Sequence, residues 1–77
     1  MNTLNNLNKG EVSRIISIDN ILNIKKRLLE LGLTNGVLIE CILINPFKNM
    51  KAYRVKNTII ALRNDDSTFI RIGEVYE

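Results

Sequence analysis

Two β-prone runs, Met50–Val55 and Thr58–Arg63, are separated only by Lys56-Asn57, and so short a connection closes as an antiparallel hairpin. Asn57 tolerates the positive φ that such a turn demands. The remaining segments therefore have to join an antiparallel β framework rather than a helical one.

Upstream, residues 37–44 form an apolar, β-branched run too short for a typical helix and suited to a buried central strand. Thr34-Asn35-Gly36 reads as the turn before it and Asn45-Pro46 as the break after it, with residues 47–51 an exposed loop. Residues 11–18 read as a first strand, with Val12, Ile16 and Ile18 on one face, Glu11, Ser13 and Ser17 on the other, and Ile15 as the exception. After a turn at Asn64-Asp65-Asp66-Ser67, residues 69–75 supply a last strand with Ile70 and Ile72 on one face.

One helix interrupts this pattern. Asp19 or Asn20 can cap it, and Ile21, Ile24, Leu28 and Leu31 form an apolar stripe opposite Asn23, Lys26, Arg27 and Glu30. Gly32 stands where a left-handed C-terminal cap is needed. The sequence thus predicts a mainly β fold of five short strands, with one amphipathic helix between the first and second. So small a sheet would expose costly edges unless it curled into a barrel.

A 77-residue chain has room for one core. The domain is expected over residues 9–77, after a flexible Asn-rich segment at residues 1–8. No apolar run approaches the length of a membrane span, and the N-terminus lacks the basic start and apolar centre of a secretory signal. A cytoplasmic location is expected, and the single Cys41, set in an apolar run, reads as a buried, inert thiol of a reducing compartment.

The chain has no His and no second Cys, which removes the usual zinc sites and nucleophile pairs. Asp65 and Asp66, even with Glu74 and Glu77, read as solvated carboxylates rather than a hard-cation site, and the four scattered glycines form no phosphate loop. No enzyme, metal or cofactor is expected. A net charge of +3 can steer an acidic partner without naming it. Lys25-Lys26-Arg27 is the densest basic run, joined in composition by Lys48, Lys51, Arg54 and Lys56; it reads first as a solvated helix face and second as a docking face. Phe47, Tyr53, Phe69 and Tyr76 show no interleaved stacking pattern for single-stranded nucleic acid. Leu22 and Leu29 lie off the main helix stripe, and either widen the core contact or form an exposed ridge. Pro46-Phe47 is either an exposed anchor or packing over a barrel end. The candidate partner contacts are Lys25, Lys26, Arg27, Leu29, Pro46, Phe47 and Lys48.

The order of these pieces carries a resemblance. Gly10-Glu11 with Ile15 is followed by Lys26-Arg27-Leu28-Leu29-Glu30-Leu31-Gly32-Leu33, then Asn35-Gly36, Asn45-Pro46-Phe47, Ile59-Ile60-Ala61-Leu62-Arg63, Asp65-Asp66-Ser67 and Ile70-Arg71-Ile72. Nearly the whole chain after Leu7 resembles the FeoA family, and Arg-Leu-x-x-x-Gly and Ala-Leu-Arg are its most specific elements. Asn35, Asn57 and the loop Phe47-Lys48-Asn49-Met50 depart from the family's usual pattern. The resemblance implies an SH3-like fold and an accessory role in bacterial ferrous iron uptake, as an interaction module on the cytoplasmic GTPase region of the FeoB transporter. It also implies kinship with domains at the C-terminus of iron-dependent repressors. Alternatives are a regulatory domain that binds a peptide, or a nucleic acid through its basic face; weak homo-oligomerisation is a further option.

Overall fold

Six antiparallel strands form one sheet in the order β1-β6-β2-β3-β4-β5 in the computed structural model, which describes residues 2–19 and 22–77. The strands are β1 (Asn2–Thr3), β2 (Val12–Ile18), β3 (Leu38–Ile44), β4 (Met50–Val55), β5 (Thr58–Arg63) and β6 (Ile70–Ile72). Helix α1 (Leu22–Glu30) connects β2 to β3, the one-turn helix α2 (Asn64–Ser67) follows β5, and a 3-10 turn covers Leu4–Asn6. The mainly β class and the single long helix are as the sequence predicts. Strand number and closure are not: among the described residues there are six strands rather than five, and the sheet they form stays open, with β1 and β5 at its two ends.

The β4–β5 hairpin is paired without interruption from Met50 opposite Arg63 to Val55 opposite Thr58. Lys56 and Asn57 both have positive φ, 49° and 67°, as a two-residue turn of the type I′ class requires. At the end of α1, Gly32 has φ +92°. Its N–H donates to the Leu29 carbonyl, and the Leu33 N–H donates to the Leu28 carbonyl, each at 3.0 Å. This crossed pair of bonds is the Schellman arrangement, and the buried Leu28 and Leu33 supply its apolar contact. Gly36 (φ +85°) makes the second tight turn, closed by Val37 N–H to the Thr34 carbonyl at 3.2 Å.

Leu28 is fully buried and Ile24 packs against the core, but Leu31, expected in the same stripe, is 40% exposed. The chain has already turned into the Schellman cap at that point, so the helical phase no longer aims Leu31 inward. Asn20 and Ile21 lie outside the described residues, as does the side chain of Leu22, so the Asn20 cap and the Leu22 question fall there. The Asp19 carboxylate accepts from Arg71 Nε at 3.2 Å.

The face predicted for β2 is corrected. Ser13 and Ile15 point inward, while Ile16 is 52% exposed. The pairing of β2 with β6 slips between Ile15 and Ser17, and such a bulge reverses the alternation on either side of it. Ser13 is tolerated inside because its hydroxyl donates to the Glu74 carbonyl at 2.8 Å. Strand β3 is central in the sheet, but only one of its faces is covered. Ile39 and Cys41 are buried, whereas Leu38 and Leu43 are about half exposed.

The N-terminal boundary is also corrected. Residues 2–8 belong to the fold: β1 pairs with β6, and Leu4 and Leu7 are completely buried in the single core cluster. Each such leucine contributes about 1.5–3 kcal/mol by burial. Lys51, expected in an exposed loop and in the basic set, is buried in β4. Its Nζ donates to the carbonyls of Asn5 (2.6 Å) and Leu7 (2.9 Å), the orphan acceptors at the end of the 3-10 turn. The residues expected as a plain turn at 64–67 form α2 instead. Asp65 and Asp66 lie in its first turn, where the helix dipole favours negative charge.

Candidate functional site

Strand β4 has two ends, about 17 Å apart for six residues in extended conformation, and each end borders a surface depression. At the Met50 end the loop at 45–49 is fixed by its own polar groups. Asn45 Oδ1 accepts from the Phe47 N–H at 2.6 Å. Asn64 donates through its N–H to the Asn49 carbonyl at 3.0 Å and through its side-chain amide to the Lys48 carbonyl. Lys48 takes φ +60°, a strained conformation for a non-glycine residue. The product of these constraints is Phe47, which is 85% exposed. A large aromatic side chain in that state, on a loop already held in place, costs little further entropy to bury against a partner. Of the two readings of Phe47, the structure takes the exposed one.

Beside this loop, Arg27 of α1 reaches a depression of about 590 Å³ that it shares with Met50, Ala61, Arg63, Asp65 and Asp66. The fold thereby brings Arg27 to the residue that ends the Phe47 loop. Lys26 is exposed and Lys25 half-buried, and neither lines the depression. Leu29 is 44% exposed, which favours a ridge over a core contact. Pro46 and Lys48 are exposed in the loop itself. The seven basic residues do not form one patch: Lys51 is inside, and Lys48 and Lys56 flank opposite ends of β4.

At the Val55 end lies a groove of about 460 Å³, bordered by β2, the start of β3, and the β4–β5 turn. Cross-strand register sets its walls: Val12 stands opposite Glu40, Arg14 opposite Leu38, and Glu40 opposite Arg54. Arg54 Nη1 and Glu40 Oε1 form an ion pair at 3.1 Å, and Arg14 Nη1 donates to the Gly36 carbonyl at 2.8 Å. Nothing in the sequence marks this groove: Arg54 and Lys56 stand out only by their charge, and Arg14 and Leu38 carry no local pattern that separates them from any other strand residue.

The interior offers little chemistry. Burial pushes the Cys41 thiol above its ordinary value, and desolvation does the same, more strongly, to the Tyr53 hydroxyl. Tyr76 is raised by its hydrogen bond to Glu74, at 3.0 Å. Among the described residues, no three acidic, His or Cys side chains lie together as a metal site. Nor, among them, is any helix long and apolar enough to cross a membrane.

Solved structures share the fold. FeoA of Stenotrophomonas maltophilia, obtained with zinc and described as an SH3 domain protein suggested to activate ferrous iron transport, is 25% identical. Its match has a TM-score of 0.82 and covers 95% of this chain and 91% of that one. FeoA of Chlorobium tepidum is 18% identical with a TM-score of 0.86, over 92% of this chain and 68% of that one. A manganese-dependent transcriptional repressor is 11% identical with a TM-score of 0.82; the match covers 90% of this chain but 39% of the repressor. No match emerges among curated protein sequences. The FeoA domain model matches residues 2–73, strands β1 through β6 in one span, and the chain belongs to the FeoA domain family.

Proposed function

We propose that this protein is a non-catalytic accessory module of bacterial ferrous iron uptake that works in the cytoplasm by docking on the GTPase region of a FeoB-type transporter. The observation that carries the reading is the FeoA match over residues 2–73. The docking end is the one built around Phe47. Exposed aromatic side chains make effective anchors when a partner pocket excludes water from them. Lys48, next to Phe47 in the loop, and Arg27, which shares its depression with Met50, are the cations that would steer an acidic surface toward that anchor. The proposed contact also takes in Pro46 of the loop and Lys25, Lys26 and Leu29 of α1.

The test is a calorimetric titration of the protein against the isolated cytoplasmic domain of its own organism's FeoB, with and without GTP, at two salt concentrations. Saturable binding that is lost in Phe47→Ala and weakened in Lys25→Glu supports the assignment of partner and face. Absence of binding in every nucleotide state removes the direct partner.

A further inference from the structure

We propose that the groove at the Val55 end of β4 is a second docking site, which takes an acidic, extended protein segment and receives one of its aliphatic side chains. Three observations lead there. The groove is concave and is bordered by the apolar side chains of Val12, Val37 and Leu38, and Leu38 is 49% exposed. Its rim carries Arg14, Arg54 and Lys56 against a single acid, Glu40, which is already paired with Arg54. The cations are also held in place, Arg14 by the Gly36 carbonyl and Arg54 by Glu40, while the Lys56 stem passes beside Gly32.

Charge and shape select the occupant. A second copy of the chain brought groove to groove would set like charges against each other, since a twofold contact pairs the same surface with itself. A nucleic acid strand would need stacking side chains along the groove, and no aromatic residue lines it. A planar anionic membrane cannot enter a concave recess as a single side chain can. An extended segment with a leucine or isoleucine flanked by carboxylates satisfies both the apolar border and the rim. The site lies at the opposite end of β4 from Phe47, so it does not depend on the transporter reading.

The probe is a capped Glu-Asp-Leu-Glu-Asp peptide titrated into the isotope-labelled full chain, with amide shifts read residue by residue. Saturating shifts at Arg14, Leu38, Arg54 and Lys56 are expected. Affinity should fall at least about threefold between about 50 and 300 mM salt, and at least about fivefold in both Lys56→Glu and Leu38→Asp, two exposed positions whose folding is checked by the unperturbed spectrum. The proposal is overturned if a Lys-Arg-Leu-Lys-Arg peptide binds equally well, if the shifts fall on the 45–50 loop, or if the groove does not respond. It is also overturned if anionic vesicles or a short oligonucleotide displace the peptide in preference to an acidic competitor peptide.

Discussion

Replacing Lys51 with Met tests whether one buried ammonium holds the N-terminal segment in the fold. The substitution keeps the aliphatic stem, and so removes two charge-assisted hydrogen bonds, to the Asn5 and Leu7 carbonyls, with little change in packing. Bonds of that kind are worth about 1.5–3 kcal/mol each, and relief from burying the charge offsets part of the loss. The expected net cost is about 2–4 kcal/mol. Detachment of residues 2–8 sets a ceiling, because the loss then stops near the burial energy of Leu4 and Leu7, together about 3–6 kcal/mol. At about 4–8 °C per kcal/mol for a domain of this size, the melting temperature should drop by roughly 10–30 °C. Urea unfolding followed by far-ultraviolet circular dichroism gives the free energy. A Lys51→Met change in a chain lacking residues 1–8 should then be close to neutral, because its acceptors are gone. If Lys51→Met lies within about 0.5 kcal/mol of the parent, or costs as much without the segment as with it, the ammonium is not the clasp.

Three further outcomes are expected. Gly32→Ala should cost about 1–2 kcal/mol in the same unfolding experiment, because φ +92° puts a Cβ in a left-handed conformation; a neutral result would mean the cap relaxes freely. Phe47→Ala should leave stability within about 0.5 kcal/mol, since the side chain is exposed, while abolishing transporter binding; a large loss of stability would show Phe47 to be packed. Tyr53 and Cys41 have folded pKa values above their unfolded ones. Their contribution to stability is therefore complete below about pH 8.5 and declines as pH rises through 9 and beyond 10, with a slope approaching about 1.4 kcal/mol per pH unit for each group. Alkaline titration should show Tyr76 ionising while the fold persists and Tyr53 only as circular dichroism is lost; joint ionisation in the folded state would contradict the burial of Tyr53.

The fold was legible where a local signal is chemically specific. Lys56-Asn57 announced its turn, Gly32 its cap, and the residues between them their strands, since those features depend on near neighbours in sequence. Residues 2–8 carry no such signal, because two leucines among asparagines have no periodicity; their role comes from Lys51 and β6, more than forty residues away. The β2 face failed at a bulge, which breaks the period-two rule without any mark in the sequence. In the candidate site, Pro46-Phe47 left exposure and packing over a barrel end equally open, and only the hydrogen bonds that fix the loop, to Asn45 and Asn64, decide for exposure. The groove was invisible because Arg14, Leu38 and Arg54 meet only through strand register.

The pairing of β1 with β6, together with the bridge between Val12 and Tyr76, has a consequence for how such a unit travels between proteins. Entry and exit of the chain fall on adjoining strands of one sheet edge, so another polypeptide can be spliced on at either terminus without threading across the core. The same fold makes up 39% of a manganese-dependent repressor, where it is joined to further chain. It also makes a covalent link between the two termini feasible, with the chain reopened at Lys56-Asn57, where the exposed turn tolerates new ends.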